Sequence, residues 1–390
     1  ICWQSLADWT HGAHGDASEC YVVASCTQRM PALTCRLWLP RKIDFLDSKR
    51  LSDTMTTRDK WYQLLGSMAL LVPLLPMLLT FTAGAYAQQS DSSERLDTWP
   101  MTVAEASGFT ATANEAQVNS FLGQLVQTWP AAQLVEIGRS VEQRPIWAVV
   151  VQPQVRQDER PLTAMVLGGI HSGECDGKEA ILALLRDFAA GQYAKDWRSL
   201  RMIFVPNFNV DGGERRSPNH RPGQAGPSEG MGLRENAQGL DLNRDFVKLE
   251  SPEVQSLVAA IDRYEVDVLI DTHTTNGSLH RYELTYDIPH VPTLTKDMDH
   301  WLRTKLVPQV TANMAELGFS TFYYGNFDAD HRAWTSYGHQ PRYSTEYMGL
   351  RGRIGVLSES YSYASYETRV RASYAFVRQV LAVVSEQASQ

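Results

Sequence analysis

Two imidazoles and two carboxylates stand out in this chain because each directly follows an apolar run of strand length. His171 and Glu174, in His-Ser-Gly-Glu, follow Leu162–Ile170; His273, in Asp-Thr-His, follows Val266–Ile270; Glu359, in Leu-Ser-Glu, follows Ile354–Leu357. In an open α/β sheet the C-terminal strand ends form the edge where ligands bind, so residues distant in sequence are expected to converge there. Two imidazoles and one carboxylate, with a fourth position left to water, make the donor set of a catalytic zinc site; a structural site is closed, usually by thiolates. Each fragment alone is weak, since His-x-x-Glu arises by chance and a histidine beside a core strand is commonly a packed residue. Order and context carry the reading: a short-spaced His/Glu pair after one strand, a third donor after a later strand, and an acid near the chain's end.

The elements that must position these residues are those of an α/β domain. The spacing of Val118, Phe121, Leu122 and Leu125 predicts a helix over Gln117 to Trp129, and Gln133–Ile137 with Pro145–Val151 predicts a hairpin. Leu162–Ile170, Leu200–Val205, Val266–Ile270 and Ile354–Leu357 are near-continuous apolar strands, the pattern of a sheet buried on both faces, and helical segments separate them. The expected fold is therefore a single α/β domain with a mixed, mostly parallel central sheet flanked by helices on both faces. Asp211 to Gly239, rich in Gly, Pro and Asn, is too long for an ordinary connection and is expected to shape a site. A last helix is predicted over Thr368 to Val384.

The order of these motifs resembles that of the zinc metallocarboxypeptidases, the pancreatic carboxypeptidase-like peptidases. The resemblance rests on His171-Ser-Gly-Glu174, Asn207-Phe-Asn-Val-Asp-Gly212, Gly239-Leu-Asp-Leu-Asn-Arg-Asp-Phe246, Asp271-Thr-His273 and Leu357-Ser-Glu359, and covers about 109–375. It implies that His171, Glu174 and His273 hold one zinc ion per chain, and that Glu359 is the general base acting on metal-activated water. It further implies that Asp241 fixes the first histidine's tautomer, that Arg234 stabilises the oxyanion, and that Asn243 and Arg244 grip a substrate's terminal carboxylate. Arginine suits both tasks because its fork is bidentate and its charge persists at any working pH. The family also has a tyrosine over the scissile bond; Tyr337, Tyr343 and Tyr347 all lie in the matching stretch, and Tyr347 is taken as the candidate. The activity implied is release of C-terminal residues from peptides with a free carboxylate. An amidase or D,L-peptidase acting on cell-wall peptides is the alternative within the fold, and a catalytically inactive peptide-binding module the alternative outside enzymes. Cys175 is read as a packing residue, not a ligand.

A formal net charge of −8 and the lack of any Lys/Arg run give no electrostatic footprint for nucleic acid. Met55 opens an export signal over 55–87, with Arg58 and Lys60, an apolar stretch from Leu64 to Phe81 and Ala85-Tyr-Ala87 as cleavage site. A retained membrane anchor is the competing reading, opposed by Pro73 and Pro76. Residues 1–54 are then expected to be upstream sequence outside the native protein, 88–108 a flexible leader, and 109–390 the catalytic domain. The expected location is periplasmic or secreted, with no membrane span left after cleavage. Four of the five cysteines, Cys2, Cys20, Cys26 and Cys35, precede Met55, so the mature chain carries only Cys175.

Overall fold

The computed structural model describes residues 99–154, 160–336 and 338–388. The upstream, signal and most of the leader assignments, and Tyr337, lie outside them. Among the described residues no helix is long and apolar enough to cross a membrane.

Ten strands and nine α-helices are described. The helices are α1 (Val103–Ala106), α2 (Glu115–Thr128), α3 (Asp176–Ala189), α4 (Val210–Glu214), α5 (Pro252–Arg263), α6 (Lys296–Trp301), α7 (Val307–Glu316), α8 (Ser344–Leu350) and α9 (Tyr366–Ala388). The strands are β1 (Ala132–Arg139), β2 (Pro145–Val151), β3 (Leu162–Gly168), β4 (Leu200–Val205), β5 (Val268–Thr274), β6 (Leu284–Asp287), β7 (Thr321–Tyr323), β8 (Asn326–Phe327), β9 (Trp334–Thr335) and β10 (Ile354–Ser360). Eight strands form one sheet in the order β1-β2-β4-β3-β5-β10-β6-β7. Its centre, β4-β3-β5-β10, is parallel, and antiparallel pairs join β1 to β2, β2 to β4 and β10 to β6.

Helix and strand identities follow from local chemistry. Asn114 caps α2 reciprocally with Gln117, which sets its start two residues before the predicted Gln117. The central strands are buried along nearly their whole length, as their unbroken apolar runs require. Two apolar clusters cover the two faces: Phe121, Leu185, Phe188, Phe376 and Leu381 pack on one, Phe208, Phe246, Leu257, Ile261 and Met348 on the other.

Two boundaries differ from expectation, and both matter for the site. β5 runs through Asp271-Thr-His273 to Thr274, and β10 runs through Glu359 to Ser360. His273 and Glu359 therefore lie within strands, not after them, because parallel ladder pairing continues through the polar residues. The described end of the leader stretch is also ordered: Thr102 caps α1, Ala104 is fully buried, and its N–H donates to Glu179 (3.2 Å). A buried carboxylate seeking donors explains why this polar segment packs, and Glu179 Oε1 also takes the Thr112 hydroxyl (2.8 Å) and the Ala113 N–H (2.6 Å).

Candidate active site

The C-terminal ends of β3, β5 and β10 meet as expected, and the four residues read from the strand ends line one cavity of about 570 Å³. His171 and Glu174 enter from the turn between β3 and α3. Gly177, in the first turn of α3, lets that turn press against β5, since a Cβ there would lie 1.9 Å from Thr272 Oγ1. His273 and Glu359 come from adjacent strands and are paired in register.

The donor geometry is convergent. One donor atom from each of His171, Glu174 and His273 lies within 4.8 Å of the others, and all three residues are buried. Glu174 Oε1 is 3.3 Å from His171 Nδ1, and Glu174 Oε2 is 2.9 Å from His273 Nδ1. The outer nitrogens are engaged by carboxylates: His171 Nε2 by Asp241 Oδ1 (2.9 Å), His273 Nε2 by Asp271 Oδ2 (2.9 Å). Such a partner fixes the tautomer and aims the inner nitrogen. Two nitrogens and a carboxylate held this way, with cationic Arg234 Nη1 already 3.3 Å from His171 Nδ1 and 3.5 Å from Glu174 Oε1, fit a zinc ion by donor type.

Electrostatics follow from burial and neighbours. Burial opposes the charge on Glu174, yet Arg221 and His171 hold its carboxyl well below the usual range. Burial likewise opposes the His273 imidazolium, but Asp271 and Glu174 outweigh it and hold its pKa well above normal. Asp241 is held far down against burial by His171, Arg234 and Arg244. Glu359 is pushed up to about 8, chiefly by burial, with Glu174 adding to the rise while His273, Arg221 and Arg234 resist it. Its Oε2 is buried with no hydrogen-bond partner among the described residues.

The other expected residues divide. Arg234 joins the site, donating to Asp241 Oδ2 through Nε (3.0 Å) and Nη2 (2.8 Å). Asn243 lines the cavity; its Oδ1 accepts from the Ser344 N–H (2.8 Å), and its Nδ2 lies 3.2 Å from His273 Nε2. Arg244 also lines it and stands 4.5 Å above the Tyr343 ring. Tyr347 does not belong there. Its ring packs 5.5 Å from Phe246 in the core beneath α8 and its hydroxyl meets Arg351 (3.5 Å); Tyr347 lies within α8, whereas Tyr343 precedes the helix as its N-cap with extended backbone and so projects differently. Tyr343 takes a place in the cavity wall.

Among the lining residues that the sequence reading did not single out, two are charged or phenolic groups close to the donors, Arg221 and Tyr324. Arg221 Nη1 sits 2.9 Å from Glu174 Oε1, with Nε donating to Gln224 Oε1 (2.7 Å). Tyr324, at the end of β7, lines the wall, and burial with Glu359 and Glu174 nearby drives its hydroxyl pKa up. The signal for Arg221 was its place in the long 211–239 segment; a lone arginine there has no motif of its own. Cys175 is buried, and burial with Asp176 pushes its thiol up to about 11, so packing is its role.

The chain is similar in sequence and in fold to known carboxypeptidases. Human carboxypeptidase D is 31% identical over 170 residues, 34% of this chain and 12% of that protein, so the aligned part spans about an eighth of its length. A metallo-carboxypeptidase from Burkholderia cenocepacia shares the fold at 20% identity, with a TM-score of 0.54 over 70% of each chain. A Pseudomonas aeruginosa metallo-carboxypeptidase in complex with (2-guanidinoethylmercapto)succinic acid does so at 18% identity, with a TM-score of 0.51 over 70% of each chain. The zinc carboxypeptidase model, Peptidase M14, matches residues 118–339, more than half of the 390-residue chain and inclusive of all three donors. The chain therefore belongs to the zinc carboxypeptidase family.

Proposed function

We propose that the protein is a zinc carboxypeptidase that removes C-terminal residues from peptides with a free carboxylate, with Glu359 as general base. The observation that carries this reading is Glu359 itself: a buried carboxylate at the cavity floor, with one oxygen unpartnered, beside the three-donor cluster. His171, Glu174 and His273 would hold the metal, which when bound supplies Lewis acidity towards water and towards the scissile carbonyl.

The chain's own residues do the rest. Asn243 and Arg244 receive the terminal carboxylate, the guanidinium through paired hydrogen bonds and Tyr343 by limiting where it can swing. Arg234, anchored on Asp241, presents its remaining N–H groups to the oxygen that gains charge. Glu359 Oε2 takes a proton from the attacking water and returns it to the departing nitrogen. Arg221 steadies Glu174 against rotation through a charge-assisted contact.

The test is hydrolysis of N-blocked dipeptides with free and with amidated C-termini, alongside muropeptides. Cleavage of free-carboxylate peptides alone supports the reading; preference for muropeptides supports the amidase alternative, and zinc binding without turnover an inactive module. Export through residues 55–87 belongs to the same proposal and is checked by N-terminal sequencing of the secreted protein, which should begin near Gln88.

A further inference from the structure

A second group of metal-competent side chains lies outside the cavity, where the end of β6 meets α8. We propose that His290, His339 and Glu346 form a second zinc site that pins the 338–343 segment to α8. One donor atom from each lies within 4.8 Å of the others. Glu346 is fully buried, and the His290 and His339 rings lie 4.3 Å apart, tilted by 33°.

The surroundings repeat the logic of the first site. His290 Nε2 is held by fully buried Asp287 Oδ1 at 2.7 Å, as His171 Nε2 is held by Asp241. Asp287 is itself fixed by the Ile288 N–H (2.9 Å) and the Ser336 hydroxyl (2.8 Å). One imidazole nitrogen of His290 is thereby committed, leaving the other for a cation. The frame is closely built: a Cβ on Gly349 of α8 would lie 2.5 Å from Pro289, and Thr293 Oγ1 donates to the Gly349 carbonyl (2.6 Å).

Charge points to a cation. Two fully buried carboxylates stand against the two imidazoles, Asp287 on His290 (2.7 Å) and Glu346 4.0 Å from His339 Nδ1, while Arg303 pairs with Asp299 (2.8 Å). Imidazole and carboxylate donors together select zinc over calcium or magnesium, which favour all-oxygen sets.

The position gives the site a task. Glu346 lies one turn into α8, whose first residues reach the cavity: Ser344 donates to Asn243 and to Asp271, and Tyr343 stacks on Arg244. His339 brings in the segment leading to Tyr343. A cation bridging them holds that wall of the cavity without touching substrate.

The test counts zinc per chain in full-length protein that is metal-stripped and then dialysed against zinc alone. Wild type should take up two equivalents, His339→Ala one, and His273→Ala one. His339 is half exposed, so its substitution leaves the core intact. Asp287→Asn should weaken the second equivalent roughly 10- to 100-fold and leave the first unchanged. In His273→Ala, where only the second site can fill, zinc should raise the thermal midpoint, and in the double variant His273→Ala with His339→Ala it should not. Equal uptake by wild type and His339→Ala overturns the site, as does loss of all zinc in His273→Ala.

Discussion

Glu359 stands directly opposite His273 in the parallel register of β5 and β10. The ladder sets their spacing, so a proposed base and a proposed metal donor are held by backbone hydrogen bonds instead of by flexible loops. Side chains in register on neighbouring strands share a face, which places both over the same cavity.

Glu359→Gln should accordingly fold and keep its zinc while losing turnover by a factor of about 10²–10⁴ or more, since Gln fills the same space but cannot accept a proton. Zinc content and kcat measured on this one variant decide the role. Loss of metal would make Glu359 a ligand, and near-wild-type turnover would remove it from the reaction.

Arg244→Ala should weaken peptides with a free C-terminus by about 2–5 kcal/mol in kcat/KM terms and amidated ones far less, because the lost partner is the substrate's carboxylate. Equal losses on both would show that Arg244 serves the cavity wall through Tyr343 instead.

Asp176 ties the site to the last helix. Its Oδ2 accepts from Arg369 Nε (3.0 Å), Thr274 Oγ1 (2.5 Å) and Ser360 Oγ (2.6 Å), the residues that follow His273 and Glu359. Asp176 and Arg369 are both 0% exposed, and the guanidinium also donates to the carbonyls of Ala225, Gly226 and Ala364. Asp176→Ala leaves a buried cation without its partner, a change that costs about 3–5 kcal/mol. Denaturant unfolding of zinc-free protein should show that loss; a change under 1 kcal/mol would mean that the carbonyls alone satisfy Arg369.

Much of this was legible because burial writes itself into composition. Leu162–Ile170 and Leu200–Val205 had to be central strands, as so continuous an apolar run can be satisfied only under cover on both faces. The donors were legible because ligand chemistry restricts residue type. What the strands' ends hid was different: apolar periodicity stops at Ile270 and Leu357, while ladder pairing runs on through Asp271-Thr-His273 and Ser358-Glu359. Tyr347 was misplaced because three tyrosines satisfy one spacing, and only where α8 begins separates Tyr343, the extended N-cap in the cavity wall, from Tyr347, inside the helix and in the core. Arg221 contacts Glu174 across a loop, and no local pattern encodes such a contact.

The metal-free charge state leads to a last prediction, that zinc uptake releases protons. A zinc ligand must be neutral imidazole or carboxylate. His273 keeps its proton at neutral pH in the metal-free protein because Asp271 and Glu174 raise its pKa well above the usual value despite burial. Glu174 and Asp241, held low, have no proton to give. Glu359, pushed up to about 8, is largely protonated at pH 7, and a divalent charge beside it favours ionisation. The sign follows: zinc competes with protons at His273, so affinity should fall about tenfold for each pH unit below that group's raised pKa. Calorimetry of the first zinc equivalent at pH 7, in buffers of different ionisation heat, should show more than one proton released per ion. In Glu359→Gln the count should drop by most of one proton and the affinity should fall, because the carboxylate that zinc helps to ionise stabilises the ion in return. A heat independent of buffer would mean that neither His273 nor Glu359 loses a proton when zinc binds.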